Sequence, residues 1–193
     1  SSNLDEFFMV RVASLKDMVH ANYKKKDIAG MTASEQLEKI NERTRELVTL
    51  QYNTYNRSLV PLMHQHGIVV MDAFEDLSEA QAAFVDRYFE DNVYPVLTPM
   101  AVDASRPFPL IRNKTLNIAA LLSKKKGKAE KEEIEFATVQ VPSVLPRLVH
   151  IPSEDGNEKT FILLEQVIER NIDKLFLNYD VLCAYPYRVM RNA

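Results

Sequence analysis

A proline-rich stretch near the middle of the chain separates two different kinds of sequence. Residues 94–120 hold four of the nine prolines, namely Pro95, Pro99, Pro107 and Pro109. Proline lacks a backbone donor, fixes its own φ and disfavours the α region for the preceding residue. The stretch is therefore predicted to be extended rather than helical, with a turn at 103–105. The sequence before it is mostly helical in pattern, and the sequence after it resembles short strands.

Two long amphipathic helices are predicted before residue 67. In the first, Ser2 or Asn3 suits the N-cap position, and apolar residues recur at three- and four-residue spacing, at Leu4, Phe7, Phe8, Val12, Leu15, Met18 and Val19. Residues 32–35, Thr-Ala-Ser-Glu, have the spacing of a capping box and should begin the second helix. Its apolar side chains continue to Leu59, and Gly67 suits the residue after its end. Two such helices are expected to pack antiparallel in a small bundle.

The sequence after residue 67 predicts a mixture of strands and helices. Ser78 is a good cap for a helix that begins at Glu79. Strands are predicted at 116–122, 134–141, 148–151 and 160–164, a helix at 165–176 and an extended run at 181–189. The predicted fold class is α+β, with a helical bundle at 1–66 and a small domain built on an antiparallel sheet at 67–193.

Composition limits the classes of function that fit this chain. The formal net charge is −3, which gives no overall reason to expect a nucleic-acid partner. Cys183 is the single cysteine, and its apolar neighbours predict a buried, unreactive thiol. No signal peptide or membrane-length apolar run is visible, so we expect a cytoplasmic protein. The abrupt ends of the sequence suggest a fragment of a longer protein.

The sequence contains no recognisable phosphate-binding, metal-binding or catalytic motif. None of the four glycines belongs to a phosphate-binding loop signature. His64 and His66 are two positions apart, so on a helix they point to different sides and do not form a metal site. No serine lies in a nucleophile elbow and no carboxylate pair suggests acid–base chemistry. No catalytic or metal-binding residue is therefore predicted.

Three segments nevertheless resemble one known family. PVLTPMAVDASRPFPLIRNKTLNIA is similar to the segment that opens the β-containing part of the middle (head) domain in bacterial polyphosphate kinases. SSNLDEFFMVRVASL resembles the N-terminal domain of that family, and YRVMRNA resembles the entry to its first catalytic domain. The three segments occur in family order. The resemblance implies an N-terminal domain lacking its first helix or two, followed by the head domain and ending before the catalytic domains.

The resemblance also implies an activity and two site residues. The parent enzyme would transfer the terminal phosphate of ATP to polyphosphate through a phosphohistidine, with that histidine and the Mg²⁺ ligands outside this chain. The family's nucleotide-contacting asparagine precedes its Leu-Asp-Glu-Phe motif, and that position is Asn3 here. Arg11 could donate to phosphates, or it could pair with Asp5 or Glu6. The fragment alone is expected to be inactive, and to serve nucleotide positioning and homo-oligomerisation through the head domain.

Other possibilities stay open at this point. Arg106, Arg112 and Lys114 could form a basic patch, for which a surface or interface role is favoured over a ligand role. The main alternative function is a protein-interaction module with no nucleotide role. A nucleic-acid partner is disfavoured by the net charge and by the lack of basic residues interleaved with aromatic ones. The sequence leaves peripheral membrane association of the parent enzyme open.

Overall fold

The computed structural model describes residues 2–102, 108–124, 134–154 and 156–192. The chain forms two compact units. The N-terminal unit comprises Ser1–Met63 and Met190–Ala193, and the second unit comprises His64–Val189. Three features of the sequence lie outside the described residues. They are the predicted turn at 103–105, Arg106 and most of the charged run between the strands at 116–124 and 134–140. The helical start and the sheet-containing second unit confirm the predicted α+β class.

The first helical stretch is continuous from residue 2 to residue 20. It comprises α1 (Ser2–Phe7), a π-helical segment (Phe8–Val12) and α2 (Ala13–His20). The helix ends in a Schellman arrangement, because the N–H of Tyr23 donates to Met18 O (2.9 Å) and that of Asn22 donates to Val19 O (3.0 Å). Asn22 has φ 54°, a left-handed conformation that asparagine tolerates better than most residues. The first helical stretch therefore ends at His20, before the lysine run at 24–26.

The second helical stretch runs from residue 33 to residue 65. It comprises α3 (Ala33–Thr54), a π-helical segment (Tyr55–Leu59) and α4 (Val60–Gln65). The predicted capping box is confirmed, since Thr32 Oγ1 accepts from Glu35 N (3.3 Å) and Glu35 Oε2 accepts from Thr32 N (2.7 Å). Pro61 lies inside this stretch as the second residue of α4, two positions after the π-helical segment ends. The hydrogen bonds of a π-helix span five residues instead of four. The α-helical hydrogen-bond pattern is therefore already altered next to the proline, which has no backbone N–H to contribute to it.

The two helical stretches bury little apolar surface within their own unit. Helix α2 packs against α3, and the buried apolar residues of this pair are Val12, Leu15 and Ala33. Leu4 and Phe7, predicted to lie on the same apolar face as Val12, are 46% and 39% exposed. Every residue of α3 and the following π-helical segment from 45 to 59 is exposed. The three- and four-residue spacing therefore marks side chains that share a helix face, and much of that face is exposed in the N-terminal unit.

The second unit contains two sheets instead of the single antiparallel sheet that was predicted. A three-stranded sheet has the order β1 (Ile68–Val70), β6 (Lys159–Leu163), β5 (Leu148–Ile151). Strand β1 pairs parallel with β6, with Ile68 opposite Lys159, whereas β5 and β6 are antiparallel. The sequence could not show this pairing, because the two parallel partners lie far apart along the chain.

The four-stranded sheet is antiparallel throughout and matches the predicted strands closely. Its order is β2 (Pro99–Val102), β4 (Ile134–Gln140), β3 (Leu116–Lys124), β7 (Tyr179–Arg188). Strand β7 lies at an edge and pairs with β3, with a register shift between Leu121 and Leu122. Cys183 in β7 is half-buried, so its thiol is less buried than the sequence predicted.

Helical segments complete the second unit. Helix α5 (Glu79–Tyr88) is capped as predicted by Ser78, whose Oγ accepts from Gln81 N. It continues as a π-helical segment (Phe89–Val93) and a 3₁₀ turn (Tyr94–Val96), so the proline-rich stretch begins with a helical turn that was not expected. Pro95 fits there because a first turn needs no donor from it. Helix α6 (Leu164–Arg170) and a 3₁₀ turn (Ile172–Leu175) replace the single predicted helix.

The core of the second unit draws on both sheets and the helices. Fully buried side chains come from the π-helical segment after α5, from the strands and from α6. Examples are Phe89, Ile118, Ile162 and Ile168, each with 0% exposure. A further 3₁₀ turn (Phe74–Asp76) contacts α6. The second unit therefore has a packed core of its own.

Candidate functional site

Asn3 lies on the surface of α1. The helix begins at Ser2, so Asn3 is already within it and does not occupy the N-cap position. Asn3 is exposed to solvent. Among the described residues, the Asn3 side chain accepts no hydrogen bond from a first-turn N–H, so it does not cap the helix. The amide of Asn3 can therefore donate and accept toward a ligand.

Arg11 lies in the π-helical segment and is also exposed. Its Nη2 donates to Gln36 Oε1 at 2.8 Å, which ties the first helical stretch to α3. The partner of this hydrogen bond, Gln36, is neutral, and a pairing of Arg11 with Asp5 or Glu6 stays a prediction. A hydrogen bond to an amide leaves the positive charge of the guanidinium uncompensated.

Asn3, Phe7 and Arg11 follow one another at four-residue intervals. Residues four apart are neighbours on a helix surface, and the wider winding of residues 8–12 reduces the drift of about 40° per four residues of an α-helix. Phe7 is 39% exposed between the two polar side chains. We call this line of three residues the N-terminal face. It combines an amide, an aromatic ring and a cation over about 12 Å of helix axis.

A concavity of about 450 Å³ lies elsewhere in the N-terminal unit. It is lined by Phe8, Val12 and neighbouring residues of the first helical stretch, together with Met190, Arg191 and Asn192. Its charged and polar groups are those of Lys16, Asp17, His20, Arg191 and Asn192. Asn3 and Arg11 are not part of its lining. Sequence reasoning missed this concavity because its walls come from opposite ends of the chain.

Ion pairs of the second unit join elements that are distant in sequence. Arg147 Nε donates to both carboxylate oxygens of Glu165, at 3.1 and 3.2 Å, and Glu165 is only 4% exposed. Arg170 donates to Asp86 at 2.8 and 3.0 Å, and this hydrogen bond lowers the pKa of the Asp86 carboxyl. Both pairs anchor α6, so their first role is structural.

The carboxyl group of Glu169 in this unit has a raised pKa. Burial, followed by the nearby Glu165 and Glu75, raises the pKa of Glu169 from 4.5 to about 7. Glu169 lies on α6, and Glu75 lies on the 3₁₀ turn that contacts α6. The group therefore changes charge near neutral pH, and the consequence is a pH-dependent stability.

Two of the three predicted basic residues lie at one place in the second unit. Arg112 and Lys114 line the same cavity, to which Arg147 and Arg188 also contribute. Arg106 lies outside the described residues. The sequence indicated the first two cations but gave no sign that β7 and the segment before β5 would add two more.

Over the part of the chain that the structure describes, no three His, Cys, Asp or Glu side chains are grouped so that they could hold a metal ion. Likewise, none of the described helices combines the length and apolarity needed to cross a bilayer.

The fold and these sequence features have clear relatives. Residues 1–71 match the family model described as polyphosphate kinase N-terminal domain, and residues 80–193 match that of the polyphosphate kinase middle domain. The chain therefore belongs to the polyphosphate kinase family, and the resemblance noted from the sequence is confirmed.

Individual relatives agree with this assignment. The polyphosphate kinase of Lactiplantibacillus plantarum is 51% identical over 191 residues, which cover 99% of this chain and 26% of that protein. That of Halalkalibacterium halodurans is 48% identical, with 100% of this chain and 27% of that protein covered. A crystal structure of polyphosphate kinase from Porphyromonas gingivalis superposes with a TM-score of 0.81 at 27% identity, covering 100% of this chain and 28% of that one. The chain thus spans about a quarter of the length of these relatives.

Proposed function

We propose that the enzyme containing this sequence transfers the terminal phosphate of ATP to a growing polyphosphate chain. The consecutive matches to the N-terminal and middle domains of polyphosphate kinases carry this proposal. The phosphohistidine is proposed to lie outside this chain, as the family resemblance implies. Magnesium is likewise proposed to bind elsewhere in the enzyme, since the described carboxylates and histidines form no suitable group of three. The cytoplasm is its proposed location.

The role proposed for the N-terminal unit is to contact the nucleotide. Asn3 would hydrogen-bond the edge of the adenine ring, because an amide both donates and accepts. The exposed ring of Phe7 lies next along the helix and offers an apolar surface for a flat base. Arg11 would face the phosphate end of the ligand. The spacing of about 12 Å between Asn3 and Arg11 means that they would contact different parts of one extended molecule.

The hydrogen bond between Arg11 and Gln36 supports this arrangement. It fixes the guanidinium through a neutral partner, at 2.8 Å, so the side chain is ordered while its charge remains available for phosphate. Ordering before binding reduces the entropy lost when a ligand arrives. Arg11 and Gln36 are therefore proposed to act as a pair.

The test uses the full-length enzyme that contains this sequence. Asn3→Ala should raise the KM for ATP about tenfold with a smaller effect on kcat, since loss of a hydrogen bond of about 1.4 kcal/mol corresponds to a factor of ten. Asn41→Ala is a matched control, because Asn41 is an exposed asparagine of α3. An unchanged KM for Asn3→Ala would remove Asn3 from the nucleotide site. ATP-dependent polyphosphate synthesis by the 193-residue chain alone would contradict the proposal that it is inactive in isolation.

The second unit is proposed to support homo-oligomerisation. Strand β7 is an edge strand of the four-stranded sheet, and Leu182 and Tyr185 on it are 54% and 67% exposed. An exposed apolar edge is a common surface for association. The same observation favours the second candidate function, an interaction module without a nucleotide role. Normal ATP-dependent synthesis that is insensitive to changes on the N-terminal face, together with a stable dimer of this chain, would favour that alternative for the fragment.

A further inference from the structure

A cavity in the second unit is lined by four cationic side chains. Arg112, Lys114, Arg147 and Arg188 surround a volume of about 520 Å³, which is within the range of about 300–1,000 Å³ typical of small-ligand sites. No carboxylate belongs to its lining among the described residues. We call it the cationic cavity. The whole chain carries a net charge of −3, so this concentration of positive charge is a local feature.

The fold brings these cations together from three separate segments. Arg188 ends β7 and pairs with Leu116 at the start of β3. Arg112 and Lys114 lie just before that point in the chain. Arg147 precedes β5, and its carbonyl oxygen accepts from Leu164 N at 2.8 Å. The four side chains therefore converge through sheet pairing and a turn, and all belong to one packed unit.

The turn that carries Arg112 and Lys114 is held in an uncommon conformation. Lys114 has φ 64°, which is sterically unfavourable for a lysine. The turn is fixed because Lys114 N donates to Val189 O (2.9 Å) and Thr115 Oγ1 donates to Arg112 O (2.8 Å). Surrounding structure thus maintains a strained backbone at the place that presents two of the cations, which is a pattern found at binding sites.

The positive charge of the cavity is only partly compensated. Glu165 is bonded to Arg147 and offsets the charge of that arginine. Within the described part of the chain, no carboxylate forms an ion pair with Arg112 or Arg188. Several like charges around one concave surface repel each other and produce a positive potential that favours a multiply charged anion.

We propose that the cationic cavity binds a chain of linked phosphate groups, as found in inorganic polyphosphate. Arginine presents a planar fork that matches phosphate oxygens, and several arginines can contact successive groups of one polyanion. The choice of polyphosphate over the triphosphate of a nucleotide rests on the proposed function. The cavity and the N-terminal face share no residues, so each can be altered by substitution without changing the other.

The binding test uses the 193-residue chain and two probes, tripolyphosphate and ATP, titrated by calorimetry at several salt concentrations. The double variant Arg112→Gln/Arg188→Gln removes two charges from the cavity. The matched control Arg45→Gln/Arg57→Gln removes two charges from exposed positions on the second helical stretch. Both variants therefore have the same net charge, and only the location of the loss differs.

We expect tripolyphosphate to bind the wild-type chain, with an affinity that decreases as salt increases. The cavity double variant should lose at least about tenfold in affinity, as expected for the loss of charge-assisted hydrogen bonds. The control double variant should change by less than about twofold. Equal losses in the two variants, or no binding by the wild type, would overturn the proposal.

ATP distinguishes the two sources of a phosphate chain. If the cavity binds polyphosphate, tripolyphosphate should bind more tightly than ATP. The cavity double variant should also weaken ATP binding less than it weakens tripolyphosphate binding. ATP binding with equal affinity and equal sensitivity would overturn it in favour of a nucleotide site. Displacement of tripolyphosphate from the cavity by a single-stranded oligonucleotide at lower concentration would overturn it in favour of a nucleic acid.

A second variant guards against an effect on folding. Lys114→Gly removes a cavity charge, and glycine adopts φ 64° without steric strain. Weaker tripolyphosphate binding at retained thermal stability is the expected result, whereas unchanged binding would count against a role for the turn. Failure of this proposal is separable from failure of the proposed function. The full-length enzyme could synthesise polyphosphate without using the cavity, and the cavity could bind polyphosphate even if synthesis were absent.

Discussion

Glu169 should make the stability of the second unit depend on pH near neutrality. Its side chain is half-buried on α6, where Glu165 and Glu75 also contribute negative charge. Glu165 is paired with Arg147, so that cation is already engaged and does not relieve Glu169. Burial and the two carboxylates together raise the pKa of Glu169 from 4.5 to about 7.

The direction of the effect follows from proton binding. Between pH 4.5 and about 7 the folded protein holds a proton on Glu169 that the unfolded chain has lost. Stability must therefore decrease as pH rises through this interval and become level above pH 7. Each pKa unit corresponds to about 1.4 kcal/mol, which gives about 3 kcal/mol for a fully buried group. Because Glu169 is partly in water, screening reduces the expected cost to about 1–2 kcal/mol.

Glu169→Gln removes the charge while keeping the shape of the side chain. We expect the variant and the wild type to have similar stability near pH 4.5, and the variant to be more stable by about 1–2 kcal/mol at pH 8 and above. Urea unfolding can be followed by pulsed hydrogen exchange at fixed pH, with peptides from β3 and β4 analysed by mass spectrometry. These strands report on the second unit alone.

Glu154→Gln is the matched control, because Glu154 is an exposed carboxylate of the same unit. Its difference from the wild type should stay near zero across the pH range. The reasoning would be refuted if Glu169→Gln were less stable than the wild type at pH 8. It would also fail if both variants showed the same pH profile, since the effect would then be one of net charge and not of burial.

Two further substitutions test the elements that hold each unit. Thr32→Ala removes the side-chain half of the capping box and should destabilise the N-terminal unit by about 1 kcal/mol. The helical CD signal should then be lost at a lower urea concentration, while the hydrogen-exchange protection of β3 and β4 stays unchanged. Asp86→Asn breaks the ion pair with Arg170 and should destabilise the second unit by about 1 kcal/mol at neutral pH. Because Arg170 lowers the Asp86 pKa below 3.8, this stabilisation is lost as pH falls below that value. Urea midpoints at pH 3 and pH 7 that differ from wild type by the same amount would contradict the ion-pair explanation.

Local features of the fold were readable from the sequence. The capping boxes at Thr32 and Ser78 form as predicted, because each needs only a side-chain oxygen and a partner three residues later. Strand β4 was equally clear, since its alternation ends at Pro142. These are short-range signals, and their physical cause lies within a few residues of the element.

Features that depend on distant residues were not readable. The parallel pairing of β1 with β6 joins segments separated by most of the second unit. The raised pKa of Glu169 comes first from burial and then from Glu165 and from Glu75, and both the burial and the approach of Glu75 to α6 arise only on folding. Periodicity along the two long helices correctly predicted helix, but it did not predict how little of the apolar face is covered. A pattern shows which side chains share a face and leaves open whether another element packs on it.

The candidate sites likewise differ in how far they could be predicted from local sequence. Asn3 was proposed from the resemblance of a local motif and Arg11 from its position on the same helix. The structure places Phe7 between them through helix spacing alone. The cationic cavity required Arg147 and Arg188 to join Arg112 and Lys114 through β-sheet pairing. Without those two arginines, the basic residues before β3 indicated only a surface patch.

The two proposed ligand-contacting surfaces differ in their physical chemistry, and ionic strength therefore separates them. On the N-terminal face, an amide and an aromatic ring would recognise a base through a hydrogen bond and apolar contact, which salt screens only weakly. In the cationic cavity, binding would depend on charge and should weaken steeply as salt increases. A salt-dependent affinity for tripolyphosphate, together with a nearly salt-independent penalty from Asn3→Ala on the KM for ATP, would require two distinct contacts with two different ligands. A parallel salt dependence of both effects would instead mean that Asn3 acts on the phosphate end of the nucleotide.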